Sequence, residues 1–205
     1  KKNIKGFSCH FFPDVLIGKF GNRSLVTEFE FLNPGSNPLI AFKGQSESIV
    51  LHLLQRLANE FQQEGKPNPD VIHAYLYALL TELKLLFGKN SSIGQSASHK
   101  ITAQFRRLIH EKAKENLKAS DFAELMNISP NHLNKSVRTT TAMSASELIE
   151  NAKLIEIKYL LYQSDLSISE IAYEMGYLDS SYFSRFFKKR EKVTPKEFRN
   201  MIEKS

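Results

Sequence analysis

From Lys100 almost to the C-terminus, apolar residues recur every three or four positions, the spacing of helices that bury one face. The texture upstream is different. Residues 1–46 break into short apolar runs, FSCHFF, VLIGKF and LVTEFEFL, punctuated by NPGSNP. Runs of that length between turn-forming residues predict strands and loops. Residues 47–88 return to helical spacing. Ile49, Val50, Leu53, Leu54, Leu57 and Phe61 line a first helix, ended by Gly65 and KPNP. Asp70 starts a second, with Ile72, Leu76, Leu79, Leu83 and Leu86 on one face. The short connection predicts an antiparallel helical hairpin. Its stripes pack on their own core, and the alternative is that one of them also serves as a dimer interface. The polar, small-residue run GKNSSIGQSAS predicts a flexible linker. The chain thus divides into residues 1–88, a linker over 89–98, and a helical domain over 99–205.

The helical domain repeats itself at an interval of about fifty residues. FAELMNISPNHLNKSVRTTTAMSASELI matches IAYEMGYLDSSYFSRFFKKREKVTPKEF. Beyond the turn an offset of 50 pairs Ser129 with Asp179, Leu133 with Phe183, Lys135 with Arg185 and Glu147 with Glu197. Before the turn the offset is 49, pairing Ala123 with Ala172 and Met126 with Met175, so the second unit carries one extra turn residue. Each unit predicts helix, tight turn, helix. In the second, Ser167 and Glu170 have capping-box spacing, and Ile168, Ile171, Ala172 and Met175 supply a buried face. Gly176 suits a left-handed turn, Asp179 caps the next helix, and Tyr182, Phe183, Phe186 and Phe187 are expected to face inward. In the first, Asn127 takes the turn position, Ser129 caps, and Pro130 stands at the first helical position. Between the units, Ser144 to Gln163 predicts one long helix with Leu148, Ala152, Ile155, Tyr159 and Tyr162 along one side. A helix of ~20 residues spans ~30 Å, close to the ~34 Å of a DNA turn.

That arrangement suits two reading helices in successive major grooves. The second helix of such a unit enters the groove by its N-terminal residues. The outward positions there are Asn131, His132, Asn134, Lys135 and Arg138 in the first unit, and Ser180, Ser181, Ser184 and Arg185 in the second. Asn matches the edge of adenine, and Lys or Arg that of guanine. Lys188, Lys189, Arg190 and Lys192, from KKREK, are placed for phosphates. Taken alone such a run is usually a solvated helix face. Its weight here comes from duplication, because outward positions are polar in both units while inward ones stay apolar. The net charge of +6 and pI of about 9.3 fit a polyanionic partner.

Other chemistries find little purchase. Cys9 is the one cysteine, which excludes an intrachain disulfide and suits a reducing cytoplasm. Within its apolar run it is expected to be a buried structural cysteine rather than a nucleophile. Histidines 10, 52, 73, 99, 110 and 132 lack metal-ligand spacing. GxxxxGK and GxSxG are absent, as is an apolar run of the ~20 residues that span a bilayer. No enzyme, metal or cofactor is therefore expected. The chain opens without methionine in a strand-like run, as a fragment of a longer protein would. The rival function is a helical protein-interaction module without DNA readout, against which the outward Lys and Arg argue.

SDLSISEIAYEMGYLDSSYFSRFFKKREKVTPKEFR resembles the signature segment of AraC/XylS-type transcription regulators, through its IAYE-x-GY, SYFSR-x-FKK and TP-x-E-F-R runs. The resemblance covers residues from about 101 to 200 and is strongest in the second unit. The first departs from it at Val137, Ala142 and Ala145, where the family has an aromatic, a glycine and an aromatic, and at Lys118, where it has a capping Ser or Thr. The resemblance implies a mainly α fold: two helix-turn-helix subdomains joined by a long helix, preceded by a helical hairpin and a short β/loop remnant of a cupin-like sensing domain. It also implies a bacterial, sequence-specific regulator of double-stranded DNA, more often an activator. RNA polymerase is then a partner, the 47–88 helices join a homodimer, and the small-molecule effector stays unnamed.

Overall fold

The computed structural model describes residues 6–11, 15, 29–32, 39–63, 65–90 and 96–203. Among these the chain is helical, without a strand. The strands expected in residues 1–46 are absent where the chain is described. Residues 6–11 are irregular, and Glu30–Leu32 form a single 3-10 turn. The remainder of those runs lies outside the described residues. An extended segment gains its backbone hydrogen bonds only from a neighbouring strand, and among the described residues no such neighbour is in place. Cys9 is exposed, not buried.

The hairpin forms as its periodicity predicts, from α1 (Gln45–Gln62) and α2 (Pro69–Asn90). Its core is narrower than the predicted stripes. Val50 and Leu57 of α1 meet Leu76, Leu79 and Leu80 of α2, together with Phe29 and Phe31, whereas Ile49 and Phe61 are exposed. The buried Glu60 carboxylate ties the connection. It accepts from the Arg56 guanidinium at 2.7 Å and from the Asn68 N–H at 2.8 Å. These bonds hold its pKa below the ordinary carboxylate value, the Asn68 N–H contributing most. At its far end α2 runs on to Asn90, two residues into the stretch predicted as linker.

Seven helices follow: α3 (Ala97–Glu111), α4 (Ala119–Leu125), α5 (Pro130–Thr141), α6 (Ala145–Gln163), α7 (Ile168–Glu174), α8 (Ser180–Glu191) and α9 (Pro195–Glu203). They build two cores. One gathers Phe105 and Ile109 of α3, Phe122 of α4, Leu133 and Val137 of α5, and Leu148 and Ile149 of α6. The other gathers Ile157, Leu160 and Leu161 of α6, Ile171 of α7, and Phe183 and Phe187 of α8. The long helix therefore belongs to both. Its buried face rotates by about a third of a turn between Leu148/Ile149 and Ile157/Leu160/Leu161, at about 100° per residue. The single stripe expected through Ile155, Tyr159 and Tyr162 does not exist, and those side chains are half-buried. Capping boxes start α6 at Ser144/Glu147 and α7 at Ser167/Glu170, as their spacing predicts. The same reciprocal bonds join Thr194 and Glu197 at the start of α9, fifty residues after Ser144 and Glu147. So α9 repeats the beginning of α6.

Candidate nucleic-acid interface

The two helix-turn-helix units, α4–α5 and α7–α8, turn on matching geometry. Asn127 (φ 53°) and Gly176 (φ 75°) both adopt the left-handed conformation. The next N–H, of Ile128 or Tyr177, donates to the carbonyl of Ala123 at 3.0 Å or of Ala172 at 2.9 Å. Both alanines are fully buried, so a small residue lets the paired helices cross closely. The following caps differ in chemistry. The Ser129 hydroxyl accepts from the His132 N–H at 3.2 Å, and the Asp179 carboxylate from the Ser181 N–H at 2.7 Å. That second bond is the main reason the Asp179 pKa lies below its ordinary value, with Arg185 adding a smaller electrostatic contribution. Asp121 supplies half a capping box at the start of α4, accepting from the Lys118 N–H at 2.7 Å. The other half is missing because a lysine side chain has no acceptor.

Most of the predicted reading residues lie on open surface. Asn131, His132, Lys135 and Arg138 of α5 are exposed, as are Ser180, Ser181 and Arg185 of α8. Ser184 is half-buried. Asn134 is half-buried too, and its amide oxygen accepts from the Ala145 N–H at 3.1 Å, satisfying an orphan donor at the start of α6. Lys188 and Lys189 are exposed. Arg190 is already engaged, in an ion pair with Glu150 of α6. Lys192 terminates α8 in the left-handed conformation (φ 67°), its ammonium reaching the Lys189 carbonyl at 3.2 Å.

Tyr182 corrects the sequence reading. It was expected inward with its aromatic neighbours but is 58% exposed, on the first turn of α8. Phe183 and Phe187, four apart, fill the core, Phe186 is half-buried, and Tyr182 lies beyond the edge of that face. A wheel centred between Phe183 and Phe187 places Tyr182 about 120° off it. Its ring remains near that of Tyr177, 6.0 Å away. Burial, with a smaller effect of Tyr182, pushes the Tyr177 phenol up to about 12.

The units are also braced against one another. The connector between α3 and α4 reaches the second turn, where a side chain on Gly176 would sit 2.8 Å from the Lys114 carbonyl oxygen. The Lys114 ammonium pairs with Glu174, and the Lys153 ammonium of α6 donates to the Asn116 amide oxygen at 2.8 Å. Burial lowers the Lys153 pKa. Gly176 is thus held to glycine twice over, by its backbone angle and by the first subdomain's backbone.

Among the described residues no group of His, Cys, Asp and Glu could hold a metal ion, and no helix is long and apolar enough to cross a membrane. Two turn-matched units on a shared helix, each leading with an exposed polar helix, define a double helix-turn-helix protein. A family model described as a helix-turn-helix domain matches residues 122–201. The Msm operon regulatory protein of Streptococcus mutans is 31% identical over 64% of this chain and 46% of its own length. An uncharacterized HTH-type transcriptional regulator of Escherichia coli, YijO, is 31% identical over 72% of this chain and 51% of its own. The lactose operon transcription activator of Staphylococcus xylosus is 24% identical over 77% and 57%. Among solved structures, the C-terminal domain of AraT, a response regulator from Geobacillus stearothermophilus, has a TM-score of 0.49 and 29% identity over 52% of this chain and 88% of that one. The chain spans about half the length of the curated relatives it matches. Residues 122–201 thus carry a helix-turn-helix domain, the kind of unit that the resemblance to AraC/XylS-type regulators implied.

Proposed function

We propose that the chain is a sequence-specific regulator of transcription that sets α5 and α8 into successive major grooves of double-stranded DNA. The observation that carries this is the repeated turn, with two left-handed residues and matching closing bonds, each followed by a capped helix whose first turn is exposed and polar. Asn131, His132, Lys135 and Arg138 read bases from α5, with Asn134 chiefly positioning α5 against α6. Ser180, Ser181, Ser184 and Arg185 read from α8. Lys188, Lys189 and Lys192 meet phosphates, and Arg190 joins them only by leaving Glu150. The regulators and activators among the relatives favour activation, hence contact with RNA polymerase. A homodimer through the 47–88 helices is supported by one line along α1, where exposed Leu51 and Phe61 stand with half-buried Leu54 and Ala58. Residues 1–88 are part of a sensing and dimerisation domain, 89–98 a linker and 99–205 the DNA-binding domain.

Selection of bound duplexes from a random pool tests it directly. The expected product holds two conserved blocks about one helical turn apart, bound with an affinity that falls steeply as salt rises. Absence of binding to any duplex at low salt overturns the reading and favours a protein-interaction module. Arg185→Ala is expected to relax preference at one base position.

A further inference from the structure

The two turns are matched bond for bond except at one place, and that place is a leucine. Asn127 corresponds to Gly176, and Ile128 to Tyr177 through the same N–H to carbonyl bond. The caps Ser129 and Asp179 correspond as well, since each begins the second helix of its unit. Leu178 stands between Tyr177 and Asp179 and has no counterpart. It is the extra residue that shifts the repeat from an offset of 49 to one of 50. In the first unit the residue before the cap, Ile128, packs on the core. In the second that duty has passed to Tyr177, which is buried against Phe183, with ring centroids 5.4 Å apart. Leu178 is thereby released, and at 103% relative exposure it is as open as in an extended peptide.

A lone exposed leucine carries no message. This one is distinguished by its register. It stands immediately before the helix cap, beside Ser180 and Ser181, at the leading end of the helix that enters the groove. It also adjoins the exposed Ser180 and Ser181, which the proposed function assigns to base reading. The fold gains nothing from its side chain, since it contributes to no core and cannot staple the helix it precedes. An apolar group at the tip of a reading helix finds one apolar feature on the base edges of the major groove, the C5-methyl of thymine.

We propose that Leu178 is a specificity residue of the second unit and packs on the C5-methyl of a thymine next to the bases met by α8. This rests on the DNA-binding reading above. The test uses the full 205-residue chain and a duplex selected by it. Each thymine of the second unit's block is replaced in turn by deoxyuridine, which removes only the methyl, and each duplex is titrated with the natural chain and with Leu178→Ala. One thymine is expected whose demethylation weakens the natural chain about fourfold, the worth of one buried methyl-sized group. Leu178→Ala should bind the unmodified duplex more weakly by at least that factor and show no further loss with deoxyuridine. Its thermal midpoint should not move, because the side chain touches no core. A deoxyuridine penalty that survives in Leu178→Ala overturns the proposal, as does equal binding by the two proteins. So does a weaker Leu178→Ala with no sensitive thymine, which would place the side chain on sugar or backbone. In all three outcomes the natural chain still binds DNA. Failure to bind any duplex is the separate result that removes the underlying reading.

Discussion

The two units reach one geometry with different interiors. The second is built on aromatic rings: Tyr177 stands edge-on to Phe183 and Phe187 to Phe198, each pair at 5.4 Å, while Tyr162 meets Phe198 at 5.9 Å. The first holds one such ring pair, Phe105 and Phe122 at 5.4 Å, and buries hydroxyls beside it. Ser136, Thr140 and Thr141 of α5 are buried, and Thr140 meets Thr102 of α3 at 2.8 Å. Thr140 and Thr141 also return bonds to the carbonyls of Ser136 and Val137 at 3.0 and 2.8 Å. The two threonine hydroxyls are satisfied, yet each displaces apolar area that would otherwise add stability. The difference teaches that the turn and its caps define the unit, while the filling sets how firmly its reading helix is held.

The contrast is open to test, and cavity formation should give the largest effect. Phe187→Ala is expected to cost about 3–5 kcal/mol, against roughly 2 kcal/mol for Val137→Ala, both by urea unfolding. Equal losses would erase the distinction between the cores. Next come the turns. Gly176→Ala should cost about 2–4 kcal/mol, from the left-handed backbone and the approach to Lys114. Asn127→Ala, at the matching position, should cost about 1 kcal/mol. If the two substitutions cost the same, the brace between the units has no energetic weight. The ends of the reading helices offer a gain. Ala142 and Lys192 both end their helices with positive φ, at 59° and 67°. Ala142→Gly and Lys192→Gly should each raise stability by roughly 0.5–1 kcal/mol, read from the thermal midpoint.

The smallest effect is in pH. The Asp179 pKa is lowered by folding, so its contribution is fully present above the ordinary aspartate value, ~3.9. It is lost as the pH falls through the lower folded value. The Ser129 cap does not titrate. Between pH 6 and 3, protection of the Ser181 amide against hydrogen exchange should therefore fall relative to that of His132. Asp179→Ser should remove the difference.

Much of this was readable in advance where local chemistry decides. The turn residues Asn127 and Gly176, the caps Ser129, Asp179, Ser144 and Ser167, and the long helix between the units all follow from short-range rules. What escaped depends on distant partners. The burial pattern of α6 was misjudged because its two halves serve different cores, and averaging over the helix blurs two stripes into none. Tyr182 looked like its aromatic neighbours, and only the width of the buried face separates them. The bond that the Asn134 amide oxygen accepts from the Ala145 N–H depends on where α6 begins, which the α5 sequence alone does not tell. The repeat offset announced an extra turn residue. That it is Leu178 which leaves the core, and Tyr177 which stays, was settled by packing. The described residues 6–11 and 29–32 of the apolar runs take no strand, because composition alone does not show whether a pairing neighbour exists.

Because α6 lends one end to each core, its residue count acts as a phase setting between the two reading heads. Adding or deleting one residue near its middle would advance one head by about 1.5 Å and swing it by about 100°. B-DNA turns by roughly 35° per base pair, so that swing equals about three base pairs of rotation for hardly half a base pair of travel. No duplex offers sites in that relation. On the proposed reading, drift along this helix is confined to exchanging side chains at constant length, and new operator spacings arise by remodelling the brace around Lys114 and Gly176.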